Sequence, residues 1–315
     1  MILVAFPEMR PLAEDLAPVL GADLLTLDWH HFPDGESLIS LPGDLDGADV
    51  AFLATLRDPD RLALPLRFAA ATAREMGARR VGLIAPYLGY MRQDRRFETG
   101  QAVSAPLFAQ FLGESFDWLV TVDPHLHRIA RLQDVFPMPA MRAVSAPLLA
   151  TWISTNLPDA VLLGPDSESQ QWVAEVARLA GRPYEVLRKV RSGDRSVDVS
   201  VPESAALREG TPVILDDIAS SGSTMARAVD RLLAAGTAAP VCLVIHAVFA
   251  DAAQDTIMSA GAAGIISTDT IPHPTNAIGI AGVLTEALRS LAAGLDLPAA
   301  GRARLDPNPT ERTPE

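Results

Sequence analysis

The sequence predicts an α/β protein with mostly parallel central sheets flanked by helices. Three observations carry this. Short apolar, β-rich runs alternate with helix-length segments along almost the whole chain, the pattern of strand-helix crossover units. The run from Pro212 to Leu215 reads as a strand buried on both faces, as parallel sheets require. The 315 residues are 49% hydrophobic and 21% charged, an ordinary globular balance, and roughly 150 residues per domain makes room for two domains.

Taken in chain order, strands are expected at 2–6, 50–54, 81–84, 118–122, 161–163, 213–215, 242–247 and 264–267. Met1 to Phe6 is apolar but short, with no basic leader and no small-residue cleavage site, so it reads as the first strand and not as a signal peptide. Helices are expected at 62–76, 105–112, 170–180 and 225–235. An antiparallel arrangement stays open for the first 50 residues only. Pro137, Pro139 and Pro147 interrupt the pattern, which divides the chain into expected domains at 1–142 and 143–297. From residue 298 to 315, Pro, Arg, Asp, Thr and Glu replace the apolar periodicity, so a disordered tail is expected.

Charge narrows the function. The formal net charge is -13 and no basic run occurs, which argues against nucleic acid as a partner, since phosphate neutralisation needs clustered Lys and Arg. No apolar stretch approaches the roughly 18 residues that span a bilayer, so no membrane partner is expected. Cys242 is the only cysteine. An intramolecular disulfide is excluded, and a cytoplasmic setting is expected. Of the 26 basic residues, only Lys189 is a lysine.

In parallel α/β sheets, ligands bind outside the carboxyl ends of the strands. Four loops in that position are unusually polar: Tyr90 to Arg96, Asp123 to His127, Gly164 to Asp166, and Asp216 to Thr224. The last is the sharpest. Asp216 and Asp217 follow the buried strand, and Ser220, Ser221, Gly222, Ser223 and Thr224 lead into an amphipathic helix. Hydroxyls and free N–H groups at a helix N-terminus cradle phosphate, while paired carboxylates can grip the hydroxyls of a ribose. Ser and Thr also cap helices without any ligand. A dinucleotide turn is disfavoured, because no G-x-G-x-x-G follows the first strand.

The stretch from Val213 to Thr224 resembles the PRPP-binding signature of type I phosphoribosyltransferases. With the arginine loop, the Asp-x-His loop and the Gly-Pro-Asp loop in this order, the chain resembles the ribose-phosphate pyrophosphokinase (PRPP synthetase) family over roughly residues 1 to 290, most nearly its archaeal-type variants. The resemblance implies two phosphoribosyltransferase-like domains. It implies that Phe32, Asp34 and Glu36 belong to an adenine-recognition segment reaching into a neighbouring subunit, and hence a homo-oligomer. Arg92 and Gln93 fall on the ATP-contacting pair; a guanidinium can stack on adenine and fork onto phosphate. Arg95 and Arg96 read equally well as a solvated face.

His125 and Asp166 match the family's Mg²⁺ positions, although Mg²⁺ prefers oxygen ligands. A zinc site from His125 and His127 is the competing idea, but it lacks the usual ligand spacing. Asp216 and Asp217 match the ribose carboxylates, and Ser220 to Thr224 the 5-phosphate loop. Lys189 and Arg191 match the Lys-x-Arg pair of a mobile catalytic loop. The activity implied is Mg²⁺-dependent transfer of the β,γ-diphosphoryl group of ATP to the C1 hydroxyl of ribose 5-phosphate, giving PRPP and AMP. For such chemistry a protein positions substrates and stabilises charge.

Two departures stand out. Glu168 and Ser169 occupy the place of a glycine pair in many relatives. Residues 97–101 lack the basic residues of many bacterial and animal members, which leaves control by phosphate or ADP open. The alternatives are a non-catalytic regulatory relative and a PRPP-consuming phosphoribosyltransferase. The retention of His125, Asp166, Lys189, Arg191, Asp216 and Asp217 speaks against the first. The ATP-side loops speak against the second.

Overall fold

Each apolar run expected as a strand is one, within a few residues at its ends, and most are buried along their length. The structure is a computed structural model. It describes residues 1–295 apart from 97, 127, 128, 130, 167, 168, 192–196, 203 and 251, and only the backbone of 188–191, 197–200 and 295. The expected tail at 298–315 lies outside the described residues.

The first half runs β1 (Ile2–Ala5), α1 (Arg10–Leu20), β2 (Asp23–Thr26), β3 (Asp28–His31), β4 (Ser37–Ser40) and β5 (Asp49–Leu53). It continues with α2 (Pro59–Glu75), β6 (Arg80–Ala85), α3 (Ser104–Gly113), β7 (Trp118–Val122) and β8 (Ala140–Ala143). Six of these strands form one sheet in the order β2-β1-β5-β6-β7-β8, and every pairing in it is parallel. The antiparallel option for the first 50 residues survives only in the β3–β4 hairpin.

The second half repeats the plan. It runs α4 (Ala146–Asn156), β9 (Ala160–Gly164), α5 (Gln170–Ala180), β10 (Tyr184–Val186), β11 (Arg188–Arg191), β12 (Val197–Ser200) and α6 (Ala205–Glu209). Then come β13 (Thr211–Ile218), α7 (Ser223–Ala234), β14 (Val241–His246), α8 (Ala253–Ser259), β15 (Gly264–Thr268), β16 (Asn276–Ile278) and α9 (Ala281–Leu295). The second sheet is ordered β10-β9-β13-β14-β15-β16 and is likewise parallel. The β11–β12 ribbon is antiparallel and stands apart from it.

Helix boundaries follow local chemistry. α5 matches the expected 170–180 and stops at Gly181, whose φ of 63° ends a helix cheaply because glycine has no Cβ to clash. α7 buries Met225, Ala228, Val229 and Leu232, the i, i+3, i+4, i+7 stripe of a core-facing helix. β8 was not anticipated, because Pro137 and Pro139 mask it; pairing with β7 makes it a strand.

Apolar burial falls into three layers. α2 and α3 cover one face of the first sheet through Leu62, Leu66, Phe108 and Leu112. α7 and α8 cover one face of the second through Val229, Leu232 and Ile257. The remaining faces share one continuous cluster that includes Leu16 of α1, Leu149 and Ile153 of α4, Val176 of α5 and Leu284 and Leu288 of α9. The two sheets are therefore welded through a common core.

Candidate functional site

Parallel strands deliver the loops after their carboxyl ends to one edge of a sheet. β9 and β13 are neighbours in the second sheet, which sets Asp166 beside Asp216 and Asp217. β6 and β7 are neighbours in the first, which sets Arg92 near His125. The two edges meet. His125 Nδ1 and Asp217 Oδ2 lie 2.6 Å apart, joining loops from different sheets. Arg92, His125, Asp166, Asp216, Asp217, Ser220, Ser221, Gly222 and Thr224 line one cavity of about 540 Å³.

Electrostatics separates the two adjacent carboxylates Asp216 and Asp217. Burial, with Asp217 and then Asp166 as neighbours, pushes the Asp216 carboxyl well above its ordinary range. Burial also acts to raise Asp217, but the hydrogen bond and charge of His125 outweigh it and hold Asp217 at about 2.

One wall of the cavity is built by the β13–α7 turn, which supplies Ser220, Ser221, Gly222 and Thr224. Gly222 sits at φ 73°, and a Cβ there would come 2.7 Å from the Ala253 carbonyl oxygen. Only glycine meets both demands without strain. Thr224 and Met225 in the first turn of α7 line the cavity beside Gly222, and the N-terminal end of a helix favours anions. Ser223 does not line the cavity; its hydroxyl sits 3.0 Å from that of Ser221.

Ser169 takes its place in the Asp166 loop without disturbing it. Its hydroxyl donates to the Asp166 carbonyl at 2.7 Å, in space left by the missing side chain of Gly164, where a Cβ would come 2.4 Å from it. Glu168 and His127 lie outside the described residues.

Other expected residues stand apart from this cavity. Phe32, Asp34 and Glu36 occupy the exposed tip of the β3–β4 hairpin, where Asp34 Oδ1 accepts from the Glu36 N–H at 3.2 Å. Gln93 borders a separate hollow with Arg95 and Gln101, and its Oε1 accepts from Ser104 Oγ at 2.7 Å. Lys189 and Arg191 lie on β11, with side chains outside the described residues.

Sequence reasoning missed Arg142 and Ser145, which also line the cavity. Arg142 Nη2 pairs with Asp123 Oδ1 at 2.6 Å, while Ser145 donates to Asp123 Oδ2 from its N–H at 2.8 Å and its hydroxyl at 2.5 Å. This fixes Asp123 at its unusual φ of 32° and aims the following His125. A lone Arg in a proline-broken segment gave no pattern to read.

The donor set fits a hard divalent cation. Asp166, Asp216 and Asp217 line the cavity with His125, and repulsion from Asp217 and Asp166 adds to burial in raising the Asp216 carboxyl. Among the described residues no three such side chains converge on one point. The protein would offer one or two ligands, as Mg²⁺ sites do when substrate phosphates and water supply the rest.

Comparison with known proteins identifies the family. Residues 1–115 match the N-terminal domain of ribose phosphate pyrophosphokinase, and residues 134–280 match the phosphoribosyl transferase domain. The chain is 32% identical over 293 residues to a ribose-phosphate pyrophosphokinase of Methanopyrus kandleri, covering 92% of this chain and 99% of that one. It is 31% identical to that of Sulfolobus acidocaldarius, covering 92% and 100%. The crystal structure of phosphoribosylpyrophosphate synthetase from Mycobacterium smegmatis superposes with a TM-score of 0.80 at 25% identity, covering 93% of this chain and 99% of that one. Matching over nearly the full length of these enzymes, the chain belongs to the ribose-phosphate pyrophosphokinase family.

Proposed function

We propose that the chain transfers the β,γ-diphosphoryl group of ATP to the C1 hydroxyl of ribose 5-phosphate, giving PRPP and AMP. The observation that carries this reading is the 2.6 Å approach of His125 to Asp217. It brings an ATP-side loop of the first sheet against the ribose carboxylates of the second. A phosphoribosyltransferase that only consumes PRPP has no use for the first loop.

Each group then has a task. Asp216 and Asp217 bind the ribose hydroxyls, and Ser220 to Thr224 with the first turn of α7 hold the 5-phosphate, leaving C1 directed at the ATP-side loops. Arg92 and Gln93 contact ATP, Gln93 with its Oε1 held by the Ser104 hydroxyl and its amide N–H groups left to donate. His125 and Asp166 would hold Mg²⁺, which when bound neutralises charge on the triphosphate. Lys189 and Arg191, carried in from the β11–β12 ribbon, supply positive charge where the transferring group accumulates negative charge, and closing over it excludes water. Phe32, Asp34 and Glu36 complete the adenine site of a neighbouring subunit in a homo-oligomer. The same reading divides the chain at 142/143 and sets the enzyme in the cytoplasm.

Phosphorus NMR tests this directly. With ATP, Mg²⁺ and ribose 5-phosphate, AMP and PRPP signals are expected to grow in equal amounts. Formation of ADP, or no turnover at all, overturns the reading.

A further inference from the structure

The floor of the 5-phosphate loop is the segment after β14. The Ala219 N–H donates to the His246 carbonyl at 3.3 Å, the Phe249 N–H to the Ala219 carbonyl at 2.8 Å, and the Ala250 N–H to the Ser220 carbonyl at 2.9 Å. Gly222 rests on Ala253 just beyond. Where residues 246–250 sit therefore decides where Ala219 and Ser220 sit. This floor does not stand alone. Phe249 holds a φ of 20°, a conformation that persists in a bulky residue only when its surroundings impose it.

What imposes it comes from the other half of the molecule. Arg57, in the loop after β5, donates from Nε to the Val248 carbonyl and from Nη2 to the Phe249 carbonyl, both at 2.8 Å. The planar guanidinium thus forks across two consecutive carbonyls, a geometry that an ammonium cannot copy. Thr55, two residues earlier, donates to the Thr270 carbonyl at 2.9 Å. Facing Arg57 are Glu8 from its own half, which Arg61 and Asp58 also approach, and His273 from the other, whose ring packs on Phe249 at 4.8 Å.

We infer that Arg57 is a positioning residue for ribose 5-phosphate, acting from the ATP-side half through the carbonyls of Val248 and Phe249 on the 5-phosphate loop. Arg57 is not among the residues that line the cavity, and its two hydrogen bonds to the carbonyls of Val248 and Phe249 carry its influence through the backbone. The inference rests on the proposed function and names a determinant of one of its two substrates. Its signature is selective: ribose 5-phosphate binding weakens while ATP binding holds.

The test compares unaltered protein with Arg57→Ala and Arg57→Lys. Ribose 5-phosphate affinity is read by calorimetry without ATP, and both KM values are read in the PRPP assay, alongside thermal unfolding. For Arg57→Ala the Kd and KM for ribose 5-phosphate are expected to rise roughly 10-fold, the value of a charged hydrogen-bond pair. The ATP KM should stay within about twofold on the same grounds. Arg57→Lys should fall between, and it reads the same quantity if the alanine variant does not fold. Unchanged ribose 5-phosphate affinity, or equal losses for both substrates, overturns the inference. If the unaltered protein binds no ribose 5-phosphate, the proposed function falls and takes the inference with it; binding intact with Arg57→Ala indifferent overturns the inference alone.

Discussion

Lys189 is the single lysine in a chain whose other 25 basic residues are arginines, and it lies two residues before Arg191 in the Lys-x-Arg pair. Arg188 beside it shows that the chain accepts arginine locally. A composition that replaces lysine everywhere else keeps it where a compact ammonium differs from a planar, weakly hydrated guanidinium. Under the proposed function that difference matters, because the charge would have to reach phosphate oxygens that metal and water also flank. Lys189→Arg, which preserves charge, is therefore expected to lower kcat on the order of 100-fold, as losing an aligned electrostatic stabiliser does. Steady-state PRPP formation checks this, and near-native turnover would reduce the lone lysine to coincidence. Asp217 shows the opposite kind of residue. Its setting at about 2 depends on His125, a partner 92 positions away, so nothing in its local sequence announces it.

Among elements, the β13–α7 turn concentrates the demands of the site. A strand delivers two carboxylates, the chain reverses at Gly222 with φ 73°, and the first turn of α7 lines the cavity through Thr224 and Met225. Gly222→Ala would combine a left-handed backbone with a Cβ 2.7 Å from the Ala253 carbonyl oxygen. The expected cost is roughly 1–3 kcal/mol, seen as a Tm lower by several degrees and a raised KM for ribose 5-phosphate. An unchanged Tm would mean that α8 yields freely, and the turn would not be the rigid cradle described. This turn was also the most legible part of the sequence, because strand, carboxylates, hydroxyls and helix follow one another within a dozen residues. β7 and α5 were equally plain, being continuous apolar or strictly periodic runs. β8 and α1 were not: each carries or follows prolines, and what makes them regular is a parallel neighbour or the shared core. Arg142, Ser145 and Arg57 escaped for a similar reason. Each acts on a group brought near by topology, at spacings of 19, 22 and 191 residues, and no local pattern encodes that.

At the scale of the whole molecule, α9 is one of the elements that join the halves, leaving the second sheet and packing on the first. Leu284 and Leu288 enter the core shared with Leu16 of α1 and Val120 of β7, and Arg289 donates to the Val19 carbonyl at 3.3 Å. The departure point of this helix is fixed by Asp269, whose Oδ1 accepts from the Ile280 N–H at 2.9 Å. Burial raises this carboxyl to about 6, with Asp15 of α1 adding repulsion. A carboxyl that titrates higher in the folded state binds its proton more tightly there than in the unfolded chain, so its contribution favours folding at low pH. That contribution is complete below the ordinary value of 3.8 and is lost as pH rises through about 6. At 1.36 kcal/mol per pKa unit the span amounts to at most roughly 3 kcal/mol. Asp269→Asn keeps an oxygen to accept from Ile280 but cannot ionise. The variant should match the native protein near pH 4 and exceed it increasingly from pH 5 to pH 7, levelling off above. Urea unfolding across that range measures the difference, in which other titrating groups cancel. Two parallel stability curves would show that Asp269 ionises without penalty and that α9 is anchored by its apolar face alone.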